Sequence, residues 1–305
     1  MYKFKNILAG LNLNESDSDI IAYTGLIAST AKAEKVSFFH ILDHVEIPEK
    51  ILQKFPSVIP SLPEAVMEKI KEEIKKALPE KMKYKIEYDT GEGSRIEAFL
   101  NEIKKGGVDL LVIGKKRSHD YDNRRLAERL ARKAPCSILT VPAGSRPGIK
   151  TVLVPIDFSI YSVQALEEAI ECAGSLGIRE IFCVNVYTVP VGYSSTGKTY
   201  EEFSMIMLEN AKDEYEEFIN RIDLKGIRVN PIFELNERTN RGIEEVIKRT
   251  GADLVVIGSK GRSPGAALFL GSVTEHLLSK IDVPILAVKN KDQGLKFLDA
   301  ILYAG

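Results

Sequence analysis

Three glycines carry the first chemical signal in the sequence. Gly258, Gly261 and Gly271 stand at the spacing G-x2-G-x9-G, and Ser272 follows directly. Without a Cβ, glycine lets the backbone approach an anion closely and turn its N–H groups inward. A helical apolar pattern begins at Val273 and runs through Leu277 and Leu278. The first turn of such a helix offers backbone N–H groups with no intrahelical partner, at the positive end of the dipole. Ser272 and Thr274 add hydroxyls, and Lys260 adds a cation between the first two glycines. This is chemistry for holding phosphate. The pattern is neither the Walker loop G-x-x-x-x-G-K-[ST] nor the dinucleotide fingerprint G-x-G-x-x-G.

A second candidate is Asp157, which follows the apolar run Val152–Ile156. A carboxylate there can accept a hydrogen bond from an exocyclic amine such as adenine N6. The same residue two positions before Ser159 also suits a turn or a helix cap. Other chemistry is poorly provided for. His40, His44, His119 and His276 fall in different elements with no H-E-x-x-H spacing. Cys136, Cys172 and Cys183 are unclustered, which suits core thiols in a reducing compartment. No Cys–His pairing is readable from the sequence. Neither a metal centre nor a covalent nucleophile is expected.

The elements that must position these groups come in two matching sets. Lys5–Leu11, Val36–Leu42, Lys83–Asp89, Asp109–Gly114 and Ser137–Val141 read as strands separated by amphipathic helices. After Pro142–Gly148, a stretch rich in glycine and proline, the order repeats from Thr151 to Val288. GGVDLLVIGKK matches TGADLVVIGSK, and SILTV matches PILAV, with a period near 145 residues. Alternating strands and helices predict a parallel sheet covered on both faces, with ligands beyond the carboxyl ends of the strands. The expected domains are 1–142 and 151–305, joined by a linker over 143–150. An apolar-rich helical tail is expected over Gly294–Tyr303.

The 305 residues carry a net charge of −1, with 44% hydrophobic and 28% charged residues. That is an ordinary globular composition with no global field for nucleic acid or an anionic membrane. The start MYKFKNILAG has neither a long apolar run nor a cleavage site, and no stretch reaches membrane-spanning length. The chain is expected to be cytoplasmic.

VPIDFS at 154–159 and the loop from Gly258 to Thr274 resemble the first-strand motif and the nucleotide loop of the universal stress protein family. The resemblance covers the whole chain, as a tandem two-domain member. It implies two doubly wound five-stranded parallel-sheet domains, Rossmann-like and similar to the adenine nucleotide alpha hydrolases, with strand order 3-2-1-4-5. It implies ATP as ligand, with ADP or AMP as alternatives and Mg²⁺ as companion. Carried over, Pro155, Ile156, Asp157 and Val186 line an adenine pocket. Ile257, Gly258, Lys260 and Gly261 meet ribose and the first phosphates, and Gly271, Ser272, Val273 and Thr274 wrap the phosphate tail. The first half departs from this pattern. Gly10 replaces Pro155, Asn12 replaces Asp157, Arg117 replaces Gly261, and Arg124-Arg125 replaces Gly271-Ser272 in a shorter loop. That half is not expected to hold ATP. Its loop and helix instead gather Lys115, Lys116, Arg117, Arg124, Arg125, Arg129, Arg132 and Lys133, either as a solvated face or as a patch for an anionic partner. With only Tyr121 there to stack a base, nucleic acid is not expected.

The resemblance implies a regulatory or stress-protective role, at most slow ATP hydrolysis, and association with itself or with a protein partner. Two other classes remain open. One is an adenylyl-transferring enzyme on a related fold, although no H-x-G-H motif is present. The other is an interaction scaffold that binds no nucleotide.

Overall fold

The computed structural model describes residues 4–42, 49–55, 62–79, 82–115, 121–262 and 270–289. The expected tail helix over 294–303 lies outside them, as do His44, Lys116, Arg117, His119 and the side chains of Tyr121, Arg124 and Arg125. The chain forms two compact units, with main segments Lys3–Pro147 and Gly148–Phe297.

The first unit runs β1 (Asn6–Leu11), α1 (Asp17–Thr30), β2 (Lys35–Leu42), α2 (Glu49–Lys54), α3 (Leu62–Ala77), β3 (Lys85–Glu92), α4 (Arg95–Gly106), β4 (Leu110–Lys115), α5 (Tyr121–Lys133) and β5 (Ser137–Pro142). Its strands lie in the order β3-β2-β1-β4-β5, each parallel to its neighbour. The second unit runs β6 (Val152–Pro155), α6 (Ile160–Leu176), β7 (Glu180–Tyr187), a 3-10 turn over Val191–Thr196, α7 (Tyr200–Ile219), β8 (Arg228–Leu235), α8 (Thr239–Thr250), β9 (Leu254–Gly258), α9 (Ser272–Lys280) and β10 (Ile285–Val288). Its order is β8-β7-β6-β9-β10. Each unit thus has the expected 3-2-1-4-5 sheet, reversing between its first and fourth strands.

The central strands β1, β4, β6 and β9 are short apolar runs buried almost throughout, as parallel strands covered on both faces must be. The helices end where the sequence supplies a left-handed residue: Gly107, Gly177 and Gly251 take positive φ after α4, α6 and α8. The expected cap at Ser159 forms, its side chain accepting from the Ser162 N–H.

The two units differ at the crevice. In the first, β1 and β4 stay paired through four positions, from Ile7↔Leu110 to Gly10↔Ile113. In the second, β6 and β9 pair only at Val152↔Leu254 and Leu153↔Val255. Pro155 has no N–H to continue the ladder, and the chain swings toward β7. There Ile156 N–H donates to the Val184 carbonyl at 2.9 Å, and the Asn185 side chain donates to the Ile156 carbonyl at 3.1 Å. The strand pair therefore opens at Pro155. In the first unit a Cβ at Gly10 would lie 2.6 Å from the Phe99 ring, so glycine there admits an aromatic side chain against β1.

Candidate functional site

Beyond the carboxyl ends of β6 and β9 lies a cavity of about 390 Å³, within the roughly 300–1,000 Å³ typical of small-molecule sites. Eleven of the twelve residues expected from the sequence line it: Pro155, Ile156, Asp157, Ile257, Gly258, Lys260, Gly261, Gly271, Ser272, Val273 and Thr274. The exception is Val186. It stands within about 3 Å of where a Gly242 Cβ would be, and so packs on α8 rather than joining the lining.

One end of the cavity is the start of α9. Gly271 occupies the N-cap in an extended conformation, φ −64° and ψ 144°, and among the described residues no side chain caps the helix. The Glu275 N–H bonds back to the Gly271 carbonyl, while the N–H groups of the turn before it have no intrahelical acceptor. The Gly271 N–H donates to the Ser259 carbonyl at 2.8 Å, which draws the loop into a cradle. Thr274 is buried, and its hydroxyl donates to the Gly258 carbonyl at 2.8 Å. It acts as a brace between β9 and α9, which leaves Ser272 as the α9 hydroxyl with scope to meet a ligand. The Lys260 ammonium lies 5.7 Å from the centre of the Tyr161 ring, and partial burial lowers its pKa. Its charge is thus partly stripped of water at the cavity wall, where it acts more strongly on an anion.

The three glycines have different tasks. A Cβ at Gly258 would come within 2.7 Å of the Tyr161 carbonyl oxygen, so Gly258 is needed for α6 to pack on the end of β9. A Cβ at Gly261 would lie 2.5 Å from the Asp157 Oδ2 atom. A Cβ at Gly271 would point into the cradle, 3.4 Å from the Lys260 Cα.

Asp157 is a clasp. Its Oδ1 accepts from the Ser162 hydroxyl at 2.7 Å and from the Ser159 N–H at 3.1 Å, and its Oδ2 accepts from the Arg262 N–H at 2.8 Å. Burial pushes its pKa up, but the hydrogen bonds from Ser159, Ser162 and Arg262 outweigh that and hold the carboxyl below its ordinary value. Any contact with an adenine amine must use a remaining lone pair of this clasp. The turn depends on Phe158, which takes a left-handed φ of +64°, a costly conformation for a residue with a side chain. Its ring packs edge-on against Phe218 at 5.6 Å and lies 5.5 Å from the Arg262 guanidinium. Arg262 also donates from Nε to the Asp157 carbonyl and pairs with Glu214 of α7. Gly261→Ala would drive a methyl group into this clasp. The expected cost is roughly 1–3 kcal/mol, read as a lower denaturation midpoint for the full chain.

The first unit keeps the same turn with its polarity exchanged. Leu13, like Phe158, has a positive φ. Asp17 stands where Ser162 does, and it accepts from the Asn12 N–H at 3.1 Å and the Leu13 N–H at 2.6 Å. Burial raises its pKa against these bonds. Lys115, grouped above with the basic surface, is buried, so the patch is smaller than the sequence implied. Arg129, Arg132 and Lys133 are exposed on α5.

Five lining residues escaped the sequence reading: Ser162, Thr239, Ile243, Arg262 and Leu270. Thr239 and Ile243 come from the first turns of α8, which begins three residues before the expected start at Gly242.

Residues 3–142 and 148–289 each match the universal stress protein family. The chain belongs to that family. It is similar to a universal stress protein of Methanocaldococcus jannaschii, 27% identical over 47% of this chain and 96% of that one. Another universal stress protein, from Synechocystis, is 27% identical over 47% of this chain and 99% of its own length. A solved universal stress protein from Archaeoglobus fulgidus covers 94% of this chain and 97% of its own at 17% identity, with a TM-score of 0.62, and so shares the tandem fold. A universal stress protein solved in complex with cAMP aligns over 46% of this chain at 16% identity and a TM-score of 0.34. Among the described residues, no helix is long and apolar enough to cross a membrane.

Proposed function

We propose that this universal stress protein binds ATP in its Gly148–Phe297 unit and works as a regulatory or stress-protective protein. The observation that carries this reading is the uncapped start of α9, which opens on the cavity at the point where β6 and β9 part. Unsatisfied N–H groups, the helix dipole and the Lys260 ammonium suit the phosphate chain there. Pro155, Ile156, Ile243 and Ile257 supply apolar surface for a base, and Thr239 supplies a hydroxyl beside them. Mg²⁺ would arrive with the phosphates.

The same geometry supports slow chemistry. Asp157 is the sole acid among the described lining residues, and its oxygens already accept hydrogen bonds from the protein. No carboxylate is thus poised to take a proton from an attacking water. With Mg²⁺ present, phosphate release should stay far below the roughly 1–100 s⁻¹ of kinases. A steady rate inside that range would make the protein an enzyme.

Titration calorimetry tests the assignment to one unit. ATP should saturate near one equivalent per chain, because β1 and β4 remain paired where β6 and β9 part. Two equivalent sites would show that the first unit also binds, and no heat at any concentration would remove ATP as the ligand.

A further inference from the structure

The outer part of α7 has no explanation in the nucleotide site. We propose that this stretch and the turn before it form a docking surface for a basic amphipathic helix of a partner protein. Of the six large hydrophobic side chains that are exposed among the described residues, four fall within sixteen positions: Val191, Tyr200, Met205 and Ile206. Val191 is 97% exposed and Met205 65%. Single exposed apolar residues are ordinary, but four so close in sequence point to a surface with a use.

The helix is built to stand there. Thr199 and Glu202 form a capping box, so the first turn is closed without help from a neighbour. Tyr193 of the 3-10 turn packs against Tyr200 and Phe203, with ring centres 5.7 and 6.3 Å apart, which fixes that turn on the start of the helix. The buried residues of α7 are Ala211, Tyr215 and Phe218, all in its second half. The first half carries Phe203, Met205, Ile206, Met207 and Leu208 and buries none of them. Helices of this length draw most of their stability from a packed face; here Phe203, Met207 and Leu208 are half-buried on that face, while Met205 and Ile206 are exposed.

Charge decides the occupant. From Tyr200 to Ile219 there are seven acidic residues and one lysine. On the exposed face, Glu201 lies one turn before Met205, and Glu209 lies one turn after it. Asp213 and Glu216 continue the row, and none of these four has an ion pair among the described residues. Met205 and Ile206, about 100° apart around the helix, stand on either side of this acidic row and would meet like charge in a second copy of the same face or in an anionic bilayer. They complement a helix with an apolar stripe flanked by lysine or arginine. Methionine at two of the apolar positions suits a surface that adapts to its partner.

The test uses the full chain and a fluorescent amphipathic peptide of leucine and lysine, with a leucine and glutamate peptide of the same pattern as control. Fluorescence anisotropy should show saturable binding of the lysine peptide, weakened by salt, and none of the glutamate peptide. The double variant Met205→Ser/Ile206→Ser should weaken it roughly tenfold or more, since burying two such side chains is worth well over 1.4 kcal/mol. Both positions are exposed, so its denaturation midpoint should match that of the parent. No saturable binding of the lysine peptide, equal binding of the two peptides, or unchanged affinity in the double variant would overturn the proposal. So would sedimentation showing a native dimer that the double variant loses, which would make a second copy the occupant. Retention of the parent but not the variant on anionic vesicles would assign the face to lipid instead. None of these readouts depends on nucleotide.

Discussion

Gly271→Val is expected to abolish binding of every nucleoside triphosphate while leaving the fold intact. Both halves of that expectation follow from local geometry. Gly271 has φ −64° and ψ 144°, a conformation open to any L-residue, so a side chain there meets no backbone strain. A Cβ would stand 3.4 Å from the Lys260 Cα and 3.6 Å from the Ser259 carbonyl oxygen, close to ordinary contact. The two methyl groups of valine must then extend into the cradle in front of the α9 N–H groups. A phosphate held there needs N–H to oxygen distances near 2.9 Å, and a branched side chain at the N-cap keeps the anion beyond that reach. Loss of a charge-assisted set of such bonds exceeds the roughly 1.5–3 kcal/mol of a single one. Calorimetry should show no heat with ATP, and the denaturation midpoint should stay close to that of the parent. Gly271→Ala should fall between the two. Undiminished ATP affinity in the valine variant would remove the α9 start from the binding site.

The glycine spacing made this end of the cavity legible, because backbone approach to an anion demands glycine at fixed places before a helix. Pro155 was legible as part of a motif, and the structure adds a physical reason for it: a residue without an N–H ends the β6–β9 ladder and opens the crevice. Other positions were legible only in part. Gly258 stood out as a phosphate glycine, yet its tight contact is with the Tyr161 backbone. That constraint belongs to helix packing on the sheet, and no local pattern separates the two demands.

What stayed hidden depends on contacts distant in sequence or on unusual backbone. Phe158 adopts a left-handed turn that sequence reading reserves for glycine or asparagine. Its cost is met by packing on Phe218 and Arg262, sixty and more positions away. Arg262 pairs with Glu214, forty-eight residues apart. Thr239 and Ile243 reach the cavity because α8 starts at Thr239, earlier than its apolar pattern begins. Ser162 is the plainest case. One hydroxyl in an apolar helix gives no signal, although Asp157 and Ser162 exchange roles with Asn12 and Asp17 in the repeat. Comparing the halves for polar pairs five apart would have found it.

The second large effect concerns Glu168, in the middle of α6. It is 5% exposed, and its Oε2 atom has no hydrogen-bond partner among the described residues. Burial, and secondarily the charge of Glu171 on the next turn, raise its pKa from 4.5 to about 8. The folded chain therefore holds a proton at Glu168 that the unfolded chain releases near pH 4.5. Between those values the native state binds more protons, so this group makes stability fall as pH rises. Below pH 4.5 the side chain is neutral in both states and the penalty is absent. Above pH 8 it is complete, on the order of 3–5 kcal/mol from about 1.4 kcal/mol per unit. Glu168→Gln removes the ionisation and keeps the shape. At pH 5 the variant should lie within about 1 kcal/mol of the parent, since both then bury a neutral polar group. At pH 9 it should be the more stable by several kcal/mol, and its stability should vary less with pH. Urea denaturation followed by circular dichroism at pH 5, 7 and 9 reads this directly, and the difference between the two proteins cancels every other titrating group. Parallel curves for parent and variant would mean that Glu168 ionises as readily in the folded chain as in the unfolded one, and that its side chain reaches water.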